Sequence, residues 1–529
     1  MKKLSIVLSA LLLLALCLTA CKPAATDAKP TAEPSSQAGE PTEQTGERVS
    51  LRIAYWGANA FGDDQFYQDI SDKFNLDIEF INLEWSDFAE QLRLWAASGE
   101  FPDVAAGPLP SNDYFNFANQ GVVAPIPEDL SAYPNLDKFQ NQELMELFRV
   151  DGKLYAIPRT HNRIYGEDAI PSFRWVIRKD WMSQAGYQEV PDTYPEFMDM
   201  IQKMAELKLG GEGTVGLTDN GVNGLLYPFL FGMQKAPLTW TQDGGEWVPS
   251  ISQASNAEWI SFVKKYYDAG AIDKDVVIYN QGSEGYDKFN SGKAAAILIS
   301  MTAADWYNEK VKFEAGTGLV ANDTLVLSSP FLKTDADATT IQRQMDPLIG
   351  TGTYFSASIT PEKMDRALQL IDYFLSDEGL QHCKAGLEGR DFKLENGEFV
   401  NLMEKDPETG EQKTFPQANP TASLFGLAYW ATDYALQDPS VEKESREQMQ
   451  ATYDWIEDNC QAAERNLEIE WWGGSEDFTS WSYETAWYAG IANILAKSDD
   501  VPGDYQKLVD ELMASGGTAA KDAVNKQFQ

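Results

Sequence analysis

The side chain with the most definite chemistry in this 529-residue sequence is the thiol of Cys21. Lys2 and Lys3 precede an apolar run from Leu4 to Leu18, and Thr19-Ala20 lead into the cysteine. A positive start, an apolar stretch too short to span a bilayer comfortably and small residues before a cut describe a secretion signal. Leu18-Thr19-Ala20-Cys21 is the pattern at which such a signal, residues 1–20, is removed and the cysteine is lipidated. Lys22, Pro23 and Asp27 follow at once and no second apolar span appears, which disfavours a transmembrane anchor. The remainder is expected on the extracellular face of a cell membrane, held there by lipid alone.

Other reactive chemistry is sparse. Cys17 leaves with the signal, so only Cys383 and Cys460 remain, and they could either bridge or sit apart as buried thiols. The two histidines, His161 and His382, lie in no metal-ligand spacing and are expected to be satisfied surface or core residues. A Ser-His-Asp triad has little to draw on. The sequence therefore predicts no catalytic residues, no metal and no cofactor. A formal net charge of −39, from 42 Lys and Arg against 81 Asp and Glu, repels nucleic acid and anionic lipid headgroups.

Stepping along the chain, residues 22–48 hold Pro, Ala, Thr, Ser, Glu and Gly with no large apolar side chain, and read with Cys21 as a disordered tether. At about 5–6 Å times the square root of its length it reaches roughly 30 Å. The fold begins at Val49. Leu51–Tyr55 alternates as a strand into the loop Trp56-Gly57; a helix follows over Gln65–Phe74, then a strand at Asp77–Ile81. Ser86 is placed to cap a helix in which Phe88, Leu92 and Trp95 share a face, with Gly99 at its end. Pro102–Ala106 reads as a third strand, giving a βαβαβ rhythm. Thr193-x-x-Glu196 and Ser255-x-x-Glu258 are capping boxes, Lys293–Met301 is a buried strand, and Thr360-Pro361 opens a helix through Leu375 that Gly379 is expected to stop.

Taken in order, ASGEFPDV (97–104), GVVAPIPEDLSAYPNL (121–136), DGKLYAIP (151–158), WVIRKDW (175–181), WISFVKKYYDAGAID (259–273), FNSGKAAAIL (289–298), ALQLIDYFLSDEGL (367–380) and GLEGRDF (386–392) resemble the extracellular solute-binding proteins, family 1, of ABC importers. The resemblance covers nearly the whole mature chain. It implies an α/β, two-lobed periplasmic-binding-protein-like fold: each lobe a mainly parallel sheet flanked by helices, with a ligand cleft between them. Residues 49–172 with 331–390 are expected in the first lobe and 173–330 with 391–529 in the second. The crossings are expected near Arg174–Arg178, near Leu327–Leu332 and within 380–400. Alginate-binding relatives carry a calcium loop where this chain has Ala205–Gly216, which lacks alternating oxygen ligands. No calcium is expected there.

A sugar presents an apolar C–H face and an edge of hydroxyls, so stacking rings and planar polar groups recognise it. Rings at strand ends and in loops are the candidates: Trp56, Trp175, Trp306, Trp430 and Tyr354, with Asp305 beside Trp306. Placed against the family, the four tryptophans match positions where relatives stack ligand; each could equally be core. Arg159, Arg163, Arg174 and Arg178 cluster near the first crossing. Their forks could read a uronate or sulfate, with Arg159 and Arg163 in contact, but pairing with acids such as Glu167, Asp168 and Asp180 is the commoner outcome. The resemblance implies a monomeric, non-catalytic lipoprotein that captures a carbohydrate, an oligosaccharide, for the transmembrane subunits of an ABC permease. A tethered glycoside hydrolase and a sensory or adhesive lipoprotein are the alternatives.

Overall fold

The computed structural model describes residues 47–108, 111–140, 143–159, 172–233, 239–279, 282–343, 351–396, 398–405, 413–429, 438, 440–463 and 465–529. The signal, Cys21 and nearly all of the tether lie outside them, as do His161, Arg163 and Trp430. No helix among the described residues is long and apolar enough to cross a membrane.

Two sheets organise the chain. Their strands are β1 (Val49–Trp56), β2 (Leu76–Leu83), β3 (Val104–Pro108), β4 (Ala156–Arg159), β5 (Phe173–Arg178), β6 (Val215–Thr218), β7 (Ala294–Ser300), β8 (Leu325–Ser328) and β9 (Thr351–Phe355). The first sheet has the order β2-β1-β3-β9-β4, the second β8-β5-β7-β6. β1 runs parallel to β2 and β3, and β6 to β7. One strand in each sheet is reversed: β9 is antiparallel to β3 and β4, and β5 to β7 and β8. Each reversed strand follows a passage from the other lobe, so it enters at the end where its neighbours finish.

The helices that matter here are α1 (Gln65–Phe74), α2 (Phe88–Ser98), α3 (Tyr194–Glu206), α4 (Val222–Gly232), α5 (Ser255–Asp268), α6 (Ala303–Thr317), α7 (Pro361–Leu375), α8 (Asp377–Ala385) and α9 (Lys443–Asn459). Asp64 caps α1 through the Tyr67 N–H at 2.9 Å, and Asn75 ends it in the left-handed region. Thr193 and Thr360 cap α3 and α7 as the sequence expects. Ser255 does not cap α5: it is already helical, behind Ala254. α2 begins only at Phe88, after a 3-10 turn over Trp85–Asp87. Ser376, rather than Gly379, ends α7, and its hydroxyl accepts the Gly379 N–H to start α8.

The two lobes have separate cores. Leu51, Ile53 and Val104 of the first sheet pack with Phe66, Phe88, Leu368 and Phe374. In the second sheet successive residues go to opposite faces: Trp175 and Ile177 join Phe197 and Phe229, whereas Val176, Ile297 and Ile299 join Trp306, Phe313 and Met449. Both faces are covered, which explains the continuous apolar run of β7. Lobe membership departs from expectation in three places. Phe331, Leu332 and Ile341 belong to the second core, and Phe415, Leu424, Leu427 and Tyr429, together with the later Trp471, to the first. The chain therefore crosses between Arg159 and Phe173, between Arg343 and Thr351, and between Tyr429 and Val441. Arg174–Arg178 lies within β5, inside the second lobe.

Cys383 is buried in the first core, and Cys460 packs against the second; both are free thiols. His382 is a satisfied core residue, its Nδ1 3.0 Å from the Tyr373 hydroxyl and its Nε2 3.0 Å from Asp69.

Candidate functional site

In an open α/β sheet the carboxyl ends of the parallel strands leave a crevice where ligands bind. Here register fixes which ends those are. Pro108 and Arg159 both lie level with Thr351, and Trp56 with Leu83. In the second sheet Phe173 lies level with Ser300, and Ser328 with Trp175. The chain leaves the first sheet after Arg159 and enters the second at Phe173; it returns after β8 and enters the first at Thr351. The joined ends of the two sheets therefore bound the candidate cleft. Across it, Gln417 Nε2 donates to Asn308 Oδ1 of α6 at 2.8 Å.

The first lobe brings two indoles to its end of the cleft. Trp56 closes β1 and is 46% exposed; Trp85, just past β2, is 36% exposed. Their centroids are 6.1 Å apart at 80°, one edge against the other's face. Gly57 takes φ 68° directly after Trp56, a turn that a side chain would strain. Nothing in the sequence reading singled out Trp85, although the rule used for Trp56, a ring just past a strand end, applied equally to β2. On the second lobe, Phe173 at the start of β5 stacks on Tyr227 of α4, with centroids 4.0 Å apart at 32°.

The other expected stacking rings lie elsewhere. Trp175 is fully buried and stacks on Phe197 at 5.2 Å, because β5 lies between two strands in a sheet covered on both faces. Tyr354 is fully buried in β9, between β3 and β4. Neither ring has a face open to ligand. Trp306 lies in the first turn of α6 rather than at a strand end, is 1% exposed, and donates its indole N–H to Gln448 Oε1 at 2.6 Å. Asp305 completes a capping box, accepting the Thr302 N–H at 2.8 Å. Trp471 and Trp472 separate: Trp471 packs on Phe148 at 4.3 Å in the first core, and Trp472 on Phe478 beside the second.

The arginines divide as well. Arg178, at the far end of β5, pairs in two-pronged fashion with Asp180 at 2.8 and 2.6 Å, the ion pairing the sequence favoured. Arg159 and Arg174 are buried at the cleft ends of their strands. Arg159 lies 5.8 Å from the Tyr55 ring centroid, and burial holds its pKa down. Arg174 donates to Thr452 Oγ1 and to the Phe173 carbonyl, both at 2.7 Å, over the Tyr453 ring. Burial pulls its pKa down to about 10.

At the end of β6 sits a carboxylate that the sequence reading passed over. Asp219 is 6% exposed; its Oδ1 accepts the Asn220 N–H at 2.7 Å, and its Oδ2 has no hydrogen-bond partner among the described residues. Burial pushes its pKa well above the usual carboxylate range. The Lys293 ammonium donates to the carbonyls of Gly210 (2.7 Å) and Glu212 (3.2 Å), inside the Ala205–Gly216 stretch. Among the described residues no group of three or more His, Cys, Asp or Glu could hold a metal ion.

Comparison with known proteins gives a consistent picture. The family model described as bacterial extracellular solute-binding protein matches residues 65–385. The polygalacturonan/rhamnogalacturonan-binding protein YtcQ of Bacillus subtilis is 24% identical over 248 residues, 46% of this chain, and the chain spans about half (47%) of that relative. Lipoprotein LipO of Bacillus subtilis is 21% identical over 385 residues, 68% of this chain and 70% of that one. Among solved structures, alginate-binding protein AlgQ2 without calcium ion superposes with a TM-score of 0.68 at 14% identity, covering 91% of this chain and 98% of that one. The S. pneumoniae ABC-transporter substrate-binding protein FusA in complex with kestose gives 0.63 at 15% identity, over 91% and 99%. At these identities the structural likeness shows the fold.

Proposed function

This chain belongs to the bacterial extracellular solute-binding proteins, and we propose that it captures an oligosaccharide between its lobes and passes it unchanged to the permease subunits of an ABC importer. On this reading the signal at 1–20 exports it, lipid on Cys21 anchors it to the outer face of the membrane, and it acts as a monomer. Ligand binding draws the lobes together, and the closed form docks on the permease.

The observation that carries the proposal is the half-exposed indole pair Trp56–Trp85, placed where the first sheet ends and the chain crosses to the second lobe. Exposed rings at such a crevice suit the C–H face of a pyranose. Phe173 and Tyr227 supply an aromatic wall on the second lobe. The similarity to a polygalacturonan/rhamnogalacturonan-binding protein and an alginate-binding protein supports a carbohydrate. Trp430 and Arg163 stay as proposed contacts.

Thermal-shift screening of the mature chain against pectic, alginate, fructan and mannan oligosaccharides tests this, followed by calorimetry and chromatography of the best ligand. One class should raise the melting temperature with 1:1 binding and no shorter products. Stabilisation by none of them would refute carbohydrate capture; turnover would make the protein a glycoside hydrolase. Cys21→Ala should release the protein from the cell surface, and its retention would remove the lipid anchor.

A further inference from the structure

A cavity of about 460 Å³ lies wholly within the second lobe, between the free edge of β8 and the overlying α9. All four residues of β8 line it, from Leu325 to Ser328, so it runs along the strand rather than across its end, where the cleft lies. Its volume falls within the range of about 300–1,000 Å³ common to small-molecule sites.

Three features of the lining specify a ligand. First, Trp455 of α9 is 38% exposed and presents an indole to the cavity, with Trp306 at the wall. Second, Ser328 brings a hydroxyl to the lining, while the Thr452 hydroxyl and the Gln448 amide oxygen there are taken by Arg174 and the Trp306 indole. Third, Lys179 is the single charged lining residue, in a chain with 81 aspartates and glutamates. Its ammonium makes one long bond, 3.3 Å to the Asn322 carbonyl, and no acid pairs with it among the described residues. A flat apolar surface and one ammonium with no acidic partner among the described residues match a sugar ring bearing a carboxylate.

We propose that this cavity is a second carbohydrate site, separate from the cleft, which takes one uronate ring with its carboxylate on Lys179 and its C–H face on Trp455. In a surface-held protein such a site retains acidic fragments beside the cleft. The inference does not depend on what the cleft binds.

The test uses the mature chain with its tryptophan indole N–H groups followed by NMR, titrated with D-galacturonate and, separately, D-galactose. Galacturonate should shift the Trp455 and Trp306 resonances in the wild type and equally in Trp56→Ala. Lys179→Gln should weaken galacturonate at least tenfold and leave galactose unchanged, and Trp455→Ala should weaken both sugars. Both positions are partly exposed, and unchanged melting temperatures would confirm that the variants fold. Galacturonate binding that survives Lys179→Gln and Trp455→Ala but is lost in Trp56→Ala would place the sugar in the cleft and overturn the proposal. So would an absence of any Trp455 shift, or a shift produced only by extended peptides pairing with the β8 edge. If no saccharide engages the cleft while galacturonate still moves Trp455, the importer reading fails and this site stands.

Discussion

Removing the Trp56 ring separates ligand binding from fold stability most cleanly. With 46% of its surface exposed, and about 250 Å² for a whole tryptophan, the ring offers roughly 115 Å² to a ligand. A sugar stacked on one face hides about half of that, worth roughly 1.4 kcal/mol at ~25 cal/mol per Å². Trp56→Ala should therefore weaken the best-stabilising oligosaccharide about tenfold by calorimetry. The unliganded protein should change by no more than about 0.5 kcal/mol, since the ring fills no core. Trp175→Ala is the contrast: it opens a cavity against Phe197 and should cost about 3–5 kcal/mol of stability before any ligand is added. An affinity for every bound saccharide that stays within about twofold in Trp56→Ala, well inside the calculated tenfold, would refute the placement of the site.

Lys293→Met strips two loop carbonyls of their charged donor and should cost about 1–3 kcal/mol in urea denaturation. Neither EDTA nor added calcium should move the wild-type midpoint, and a calcium-dependent rise would contradict the expectation that Ala205–Gly216 holds no calcium. His382 has its pKa held below the usual imidazole range, burial outweighing the bond it makes to Asp69. The unfolded chain then takes up the proton first, so stability present above about pH 6.5 is lost as the pH falls towards the folded value. His382→Gln should flatten that loss in thermal melts taken downward from about pH 6.5; an unchanged slope would refute it. For Asp219 the sign reverses. Its raised pKa, caused by burial, gives stability that is present below the unfolded value and lost as the pH rises. Asp219→Asn should melt higher than wild type at neutral pH, and a lower melting temperature would show that the ionised carboxylate has a partner.

Local order was legible in the sequence wherever one residue type has one physical use. Thr193 and Thr360 capped the helices assigned to them, and the alternation of Leu51, Ile53 and Tyr55 marked the first strand. The ordered phrases led to the family. Where the chain crosses was not legible, because Phe331 and Phe415 look alike in sequence and only packing assigns one to each core.

Tryptophan shows the same division. Position at a strand end or at the expected crossing picked out Trp56, Trp175 and Trp306 alike. Sheet order then buried Trp175 between neighbouring strands under helices on both faces, and a capped helix carried Trp306 into the core. Only Trp56 was left half-open, beside Trp85. The sequence determined the export signal pattern, the α/β rhythm and the family. The tertiary structure decided which rings a ligand can reach, because exposure depends on neighbours brought together from distant parts of the chain.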